Sequence, residues 1–288
     1  MENFSVLSAL ISLLPALGLC IYIYAKDRVE KEPFSLLSVL FGCGVLAYLP
    51  TLFCERKLTN WFDMLFAGKI QYTVSGIETF TDTSTQLLHN SLCAFIGIAL
   101  LEESVKWLLL YFITHKNRNF NCLFDGIVYS VFISLGFSII ESVRFAVIDG
   151  WDTLILRALT SIPTHILFGI ITGMFYTVWH ALDVAKEEET KLFDNKTIKS
   201  KKVKCSHAWI VMSYLVPIII HGLYCLIELS DNRMFIYIYY LLMVILYMVG
   251  FATIHTFSKH DSKNTTLSKS ILRKYHPELI GLIDEEMI

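Results

Sequence analysis

Long apolar stretches separated by shorter polar segments run along the whole chain. Seven of them are long enough for an α-helix to cross a bilayer, which takes about 20 residues. They cover residues 4–24, 34–53, 91–113, 122–148, 154–182, 207–229 and 234–257. The pattern predicts an all-α, polytopic membrane protein with about seven transmembrane helices. Residues 1–258 would form a single transmembrane domain, and residues 259–288 a polar cytoplasmic tail.

Composition and charge agree with a membrane protein. Of the 288 residues, 55% are hydrophobic and only 17% are charged, whereas a soluble domain carries about 25% charged residues. Most of the 24 Lys and Arg residues fall in segments that are cytoplasmic if the N-terminus lies outside. The positive-inside rule therefore predicts an outer N-terminus and a cytoplasmic C-terminus. The net charge of −2, without a basic patch interleaved with aromatic residues, argues against nucleic acid as a partner.

The polar segments between the spans carry smaller predictions. The longest outer connection, 54–86, contains apolar residues at 61–66 with the spacing of a short interfacial helix. The Lys-rich segment 183–206 is interpreted as a solvated cytoplasmic linker. Within the tail, residues 267–275 are predicted to form a short helix that ends before Pro277.

Three ionisable residues occur close together in the third span, namely Glu102, Glu103 and Lys106. Each of them costs roughly 2.5–3.5 kcal/mol at the centre of a bilayer. The lysine can pair with either carboxylate, because the spacings are i,i+4 and i,i+3. One ion pair needs only one glutamate, so the surplus carboxylate is expected to carry function. The i,i+4 spacing favours Glu102 as the partner of Lys106 and leaves Glu103 as the freer carboxylate.

Three further spans carry an ionisable residue at a depth where contact with lipid would be unfavourable: Glu141 in the fourth, His165 in the fifth and His221 in the sixth. At a rise of 1.5 Å per residue, these three and Glu103 lie roughly 10–18 Å from the outer ends of their spans. Successive spans run in opposite directions, so a common depth is not guaranteed. We therefore expect the four side chains to meet in one polar site between the outer third of the membrane and its midplane.

Each of these residues also has a structural interpretation. A lone histidine in a membrane helix often serves as a hydrogen-bond partner between helices, and Glu141 could pair with Arg144 one turn further along. The turn around Lys106 could be an ion-pair network without catalytic function. Gly169 and Gly173 follow His165 at i+4 and i+8, a stripe of small residues that predicts a close helix neighbour on the histidine face.

Carboxylates and imidazoles around one buried cavity suit the activation of water. A glutamate can take a proton from water, and imidazoles can hold a scissile carbonyl and stabilise the developing oxyanion. Glu103, His165 and His221 also have the donor types of a zinc hydrolase site, although the chain has no HExxH motif. We expect a mechanism without a cofactor, and a mechanism with Zn²⁺ is the alternative. Lys106 is expected to tune the charge of the glutamates.

Several motifs occur in order along the chain. They are Asp27-Arg28-Val29-Glu30-Lys31-Glu32-Pro33 after the first span, Glu102-Glu103-Ser104-Val105-Lys106, Phe124-Asp125-Gly126 with Phe137-Ser138-Ile139-Ile140-Glu141, His165, and His221-Gly222-Leu223-Tyr224. These motifs resemble those of the PrsW family of intramembrane proteases, within the wider superfamily of CAAX-processing and Abi proteins. One position departs from the pattern, because Cys225 stands where family members often have an acidic residue four positions after the last histidine.

The resemblance implies an intramembrane endopeptidase of the bacterial inner membrane that cleaves a membrane-anchored protein, such as an anti-sigma factor, on its outer side. Together with the residue chemistry, it gives a catalytic set supported by Lys106: Glu102, Glu103, Glu141, His165 and His221.

Two other functions fit part of the pattern. A proton- or cation-coupled transporter also needs intramembrane Glu and His, but it would carry polar residues along a path to both faces, and the inner halves of the spans have few. A non-catalytic membrane receptor or scaffold is the second alternative, and Cys225 makes it more credible because His221 then lacks its usual acidic partner.

Overall fold

The computed structural model describes residues 6–72, 78–80, 82–204, 207–230 and 233–279. The helices in these residues are α1 (Val6–Lys26), α2 (Phe34–Phe66), α3 (Thr83–Leu92), α4 (Leu100–Thr114), α5 (Asp125–Asp149), α6 (Asp152–Leu159), α7 (Ser161–Asp194), α8 (His207–Glu228), α9 (Arg233–Lys259) and α10 (Asn264–Tyr275). A π-helical segment, Cys93–Ala99, joins α3 to α4, and a hairpin of strands β1 (Ile70–Tyr72) and β2 (Glu78–Phe80) lies between α2 and α3. The predicted all-α class therefore holds apart from this hairpin.

Five helical segments in the described residues are long and apolar enough to cross a membrane. They are Phe34–Lys69, Asp125–Asp149, Asp152–Asp194, His207–Glu228 and Phe235–Lys259. They correspond to five of the seven predicted spans and make the chain a multi-pass membrane protein. The other two predicted spans, 4–24 and 91–113, are largely helical as α1 and as α3, the π segment and α4, and their crossing of the membrane stays a prediction.

The predicted outer connection is more ordered than its sequence indicates. The apolar residues at 61–66 do not form a separate interfacial helix; they continue α2, which runs for 33 residues to Phe66. The hairpin that follows is antiparallel, with Ile70 paired to Phe80 and Tyr72 to Glu78. Asp82 then caps α3, because its side chain accepts a hydrogen bond from the Thr85 N–H.

Helix α5 is the centre of the bundle and packs between α2 and α7. The close approach depends on glycine, because an added Cβ at Gly173 would lie 2.4 Å from the carbonyl oxygen of Gly126. An added Cβ at Gly136 would lie 2.1 Å from the carbonyl oxygen of Phe41 on α2. The predicted small-residue stripe of α7 is confirmed in this way, since Gly169 and Gly173 both face α5. The stripe holds His165, one turn earlier, towards α5.

The far end of α7 meets the polar tail. The Lys-rich segment is not a solvated linker throughout, because α7 continues to Asp194. Glu189 on this extension is fully buried; its Oε1 accepts hydrogen bonds from the N–H groups of Lys202 and Val203 at 2.5 and 2.9 Å. The same oxygen lies 2.6 Å from Nε2 of His276, just after α10. The predicted tail helix is confirmed as α10, and the contact between Glu189 and His276 docks it on α7.

Candidate active site

Helix α4 turns three charged side chains into the protein interior rather than towards lipid. Glu102, Glu103 and Lys106 are only 2, 4 and 5% exposed. Lys106 Nζ lies 2.5 Å from Glu103 Oε1 and 3.7 Å from Glu102 Oε2. The expectation that Glu102 would be the lysine's close partner is therefore wrong. In this helix the i,i+3 pair is the short one, and Glu102 Oε2 is buried without a hydrogen-bond partner.

Two histidines from other helices complete the surroundings of the lysine. His221 Nδ1 on α8 lies 2.8 Å from Glu103 Oε1, and His165 Nδ1 on α7 lies 3.2 Å from Lys106 Nζ. An ammonium can only donate, so His165 Nδ1 accepts and its proton sits on Nε2. The two imidazole rings are 5.1 Å apart and nearly perpendicular.

Glu141 on α5 joins the cluster through His165. Its Oε2 lies 3.2 Å from His165 Nε2, which carries the proton and donates it. The same oxygen accepts a hydrogen bond from Arg157 Nη2 on α6 at 2.5 Å. The alternative pairing of Glu141 with Arg144 is therefore wrong, because Arg157 takes that place. Arg157 is itself held by Ser142 and Ser161, at 3.1 and 2.7 Å.

The structure thus brings all six predicted residues into one cluster drawn from α4, α5, α7 and α8. Their catalytic roles stay a prediction, but the expected convergence from separate helices is present. Two residues that sequence reasoning left out also belong here. Arg157 falls inside the predicted span 154–182, and a charged residue inside an apolar span could itself have indicated that it belongs to the site. Glu55 is near enough to Glu102 to interact with it electrostatically; it falls just beyond the predicted end of the second span, because α2 is longer than its apolar stretch.

Aromatic side chains wall the cluster. Phe168 stacks on His221 with ring centroids 4.8 Å apart, and Lys106 Nζ lies 4.9 Å from the centre of the Phe137 ring. The edge of Phe95 fills the space that a side chain at Gly222 would need, 2.3 Å from an added Cβ. These walls keep bulk water from most of the cluster, and electrostatic interactions between its members are stronger for that reason.

Four of these side chains could also hold a cation. Glu102, Glu103, His165 and His221 each offer one ligand atom, and these atoms all lie within 4.8 Å of one another. All four residues are buried. The arrangement can therefore take either a metal ion or an activated water molecule among carboxylate and imidazole groups.

Comparison with known proteins gives the family. A family model described as "PrsW family intramembrane metalloprotease" matches residues 32–253. The chain is 30% identical over 230 residues to Protease PrsW of Geobacillus kaustophilus, covering 80% of this chain and 82% of the relative. It is 32% identical to Protease PrsW of Oceanobacillus iheyensis, covering 76% and 81%. Protease PrsW of Bacillus subtilis is 28% identical, over 86% and 93%.

No solved structure matches the chain. The relatives support the peptidase hypothesis over the transporter and receptor alternatives. With a family match that spans most of the chain, and with the glutamates, lysine and histidines of its motifs gathered in one buried site, the chain belongs to the PrsW family of intramembrane proteases.

Proposed function

We propose that the chain is an endopeptidase that hydrolyses a membrane-anchored protein by attack of a glutamate-activated water molecule. By resemblance to the family, the substrate is of the anti-sigma-factor type and is cut on its outer side. One observation carries the proposal: Glu102 and Glu103 meet His165 and His221 in a buried cluster around Lys106. Buried ionisable groups in membrane helices are expensive and mark functional sites.

Glu102 is the carboxylate best suited to act as the base. Its Oε2 is free of hydrogen-bond partners and lies 3.7 Å from Lys106 Nζ and 4.0 Å from His165 Nδ1. A water molecule bound at this oxygen can give up its proton to Glu102. Glu103, in contrast, is engaged by both Lys106 and His221, which favours a role in holding these two groups in place.

The remaining groups of the site orient the two histidine rings and stabilise the negative charge that develops during the reaction. The ammonium of Lys106 supplies positive charge beside the carboxylates and can stabilise the negative charge that develops on the scissile carbonyl oxygen. Glu141 and Arg157 hold the ring of His165, because Nε2 donates to Glu141 and leaves Nδ1 directed at Lys106. His221 is held in the same way by Glu103. Family members often have an acidic residue at the position of Cys225. In this chain we assign the orienting role of that acid to Glu103.

A zinc ion is the alternative, and the residues fit one. Neutral imidazoles and carboxylates are zinc ligands, the four donor atoms lie within 4.8 Å of one another, and the family description contains the word metalloprotease. Glu103, His165 and His221 would hold the ion, which when bound would acidify a water ligand and polarise the carbonyl. We favour the mechanism without a metal, because Lys106 already supplies a cation 2.5 Å from Glu103 and 3.2 Å from His165.

Cleavage of a co-expressed single-span substrate tests the function. Glu103→Ala and His165→Ala should each abolish cleavage while the protein still inserts into the membrane. Glu187→Gln, on the exposed surface of α7, is the matched control and should cleave normally. Unchanged cleavage in both cluster variants would contradict the proposal.

Metal content and chelator treatment separate the two mechanisms. The purified protein is compared with His221→Ala, so that an ion bound elsewhere is counted in both. We expect equal metal content in the two proteins and cleavage that survives chelation. Loss of one ion per chain in His221→Ala, with loss of cleavage on chelation of the unsubstituted protein, would establish the zinc mechanism instead.

We further propose seven transmembrane helices, with the N-terminus outside, the C-terminus cytoplasmic, and the bacterial cell membrane as the location. The distribution of Lys and Arg supports this orientation, and the motif pattern supports a place in the CAAX-processing and Abi superfamily. Labelling of intact cells tests the topology, because a membrane-impermeant thiol reagent should reach the exposed Cys54 and not a cysteine introduced at Lys186. The reverse labelling pattern would contradict the orientation.

A further inference from the structure

A second cluster of metal-ligand side chains lies where α2, α3 and the π segment meet. Asp63 comes from the last turn of α2, His89 from α3 and Cys93 from the start of the π segment. One ligand atom from each lies within 4.8 Å of the others. None of these residues belongs to the candidate active site, and the family motifs quoted above do not include them. We propose that Asp63, His89 and Cys93 form a zinc-binding site.

The hydrogen bonds around His89 leave Nε2 of its ring facing a carboxylate. Asn90 donates its side-chain N–H to the carbonyl oxygen of Leu229 at 3.0 Å, which turns its Oδ1 to His89 Nδ1 at 3.3 Å. Nδ1 therefore carries a proton. On the other side of the ring, Nε2 lies 2.8 Å from the carboxylate oxygen of Asp63. A neutral imidazole has one N–H, so a lone pair on Nε2 would face a carboxylate unless a cation lies there.

A metal ion accounts for the third residue as well. The thiol sulfur of Cys93 lies 3.7 Å from the same Nε2 atom, so Asp63 and Cys93 converge on one ring nitrogen. One N–H hydrogen would have to be shared between these two groups, whereas a metal ion can take all three atoms as ligands. Around tetrahedral zinc, ligand sulfur and nitrogen atoms lie about 3.6 Å apart and nitrogen and oxygen about 3.3 Å apart. The Cys93–His89 separation fits as it stands, and the Asp63 side chain would move by about 0.5 Å.

The surroundings suit a stably held ion with an open route to water. The His89 ring packs against Phe66 and Phe80, with centroids 5.4 and 5.0 Å away. The Asn90 contact fixes the other ring nitrogen, as partners of metal-bound histidines usually do. Cys93 is buried, but the Asp63 side chain is 54% exposed, so a zinc ion could enter from that side and keep a water molecule as its fourth ligand. On binding, the Cys93 thiol releases its proton to water.

The site would clamp the start of the helix that carries the catalytic glutamates. It links the end of α2 to α3 and to the π segment, which leads directly into α4. Zinc at this point would tie down both sides of the β1–β2 hairpin. The inference does not depend on the proposed peptidase mechanism, because it concerns binding at a separate group of side chains.

Cobalt binding to the purified full-length protein in detergent tests the site. After chelator treatment and removal of the chelator, the protein is titrated with Co²⁺, and thiolate-to-cobalt charge-transfer absorption is recorded. The donors of the candidate active site include no cysteine, so this absorption reports the second cluster. We expect it in the unsubstituted protein, its loss in Cys93→Ala and His89→Gln, and its retention in Cys54→Ala and Cys225→Ala. Added Zn²⁺ should abolish it by displacement.

A measurement on the unsubstituted protein covers the case in which a variant fails to fold. X-ray absorption at the zinc edge should show a sulfur neighbour at about 2.3 Å. The proposal is overturned if no charge-transfer absorption forms, if it persists in correctly folded Cys93→Ala protein, or if the zinc spectrum lacks a sulfur neighbour. A hydrogen bond between His89 and Asp63 would then account for the contacts.

Discussion

Nδ1 of His221 on α8 lies 2.8 Å from Oε1 of Glu103 on α4, and the same oxygen lies 2.5 Å from Lys106 Nζ. This doubly engaged oxygen separates the roles of two adjacent glutamates. Glu103 is bound to two partners, whereas Glu102 keeps a buried carboxylate oxygen without a hydrogen bond.

Glu102→Gln should therefore lose cleavage without loss of the fold. Removal of a general base typically slows a reaction by about 10²–10⁴-fold, while the amide keeps the size of the side chain. Initial cleavage rates and the thermal midpoint in detergent are the measurements, with the exposed Glu187→Gln as control. A Glu102→Gln protein that cleaves at the normal rate would show that another group activates water.

Lys106→Met should destabilise the protein strongly, because it leaves Glu102 and Glu103 buried without a cation. Removing one partner of a buried pair costs about 3–5 kcal/mol of unfolding free energy. Addition of Glu103→Gln to Lys106→Met should restore part of the loss, since it removes one of the stranded charges. Unfolding in detergent compares the unsubstituted protein with Lys106→Met, Glu103→Gln and the double variant, and Lys191→Met, whose surface pair is 67% and 70% exposed, is the control. If the double variant lost as much unfolding free energy as the two single variants together, the coupling between Lys106 and Glu103 would be refuted.

Arg157→Met should lower cleavage by about 10²-fold, the scale expected when a catalytic group is misplaced by about 1 Å. Arg157 holds Glu141, which in turn holds the ring of His165. Arg157→Lys should recover part of the activity because the charge is kept. Arg144→Met is the matched control: it lies one turn from Glu141 in sequence but does not pair with it. Equal losses in the Arg157 and Arg144 variants would contradict this chain of contacts.

Gly173→Ala should destabilise the packing of α7 on α5. The new Cβ would lie 2.4 Å from the Gly126 carbonyl oxygen and 2.5 Å from the Ile127 Cα, both backbone atoms that cannot turn aside. Overpacking of this kind typically costs about 1–3 kcal/mol. Gly42→Ala on α2 meets nothing within 4 Å and should be neutral or mildly stabilising. The thermal unfolding midpoints of the two variants measure the change in stability. An equal change in both would exclude a steric clash as the cause of the destabilisation in Gly173→Ala.

Glu32, in the connection between α1 and α2, should make stability fall as pH rises. Burial raises the pKa of this carboxyl to about 7 from its ordinary 4.5, against the opposing hydrogen bond from Tyr129. Burial likewise raises the pKa of Asp27 to about 6. Between about pH 4.5 and 7 the unfolded chain ionises Glu32 while the folded protein keeps its proton, so the unfolding free energy decreases across this window.

Glu32→Gln should flatten that decrease, because the amide oxygen can still accept the hydrogen bond from Tyr129, made at 2.5 Å in the native protein. Glu30→Gln is the control two positions away, since the Glu30 side chain is 50% exposed. Thermal midpoints recorded from pH 5 to pH 8 compare the three proteins. An unchanged slope in Glu32→Gln would mean that other groups bind the protons.

Much of the candidate site could be predicted from local sequence, because charge inside an apolar span stands out against its neighbours. Glu102, Glu103 and Lys106 were visible for that reason, and the spacing of Gly169 and Gly173 placed His165 on a packed face. The i,i+3 and i,i+4 spacings, however, did not reveal which glutamate pairs with Lys106. Rotamers, and a second partner such as His221, decide that choice.

Contacts between residues that lie far apart in the sequence could not be predicted from local patterns. Arg157 finds Glu141 only because α6 folds back beside α5, and Glu55 reaches Glu102 only because α2 runs past its apolar stretch. Asp63 looks like an ordinary surface carboxylate in the sequence, and only the packing of α3 and the π segment on α2 brings His89 and Cys93 close to it.

The sequence by itself determined that this chain is a membrane-embedded bundle with costly polar groups in its spans, because hydrophobicity and charge are properties of each residue and its near neighbours. Only the tertiary structure decided which of those groups touch. A hydrogen bond forms over about 3 Å, and helices that approach through glycine, not sequence spacing, bring the donor and the acceptor within that distance.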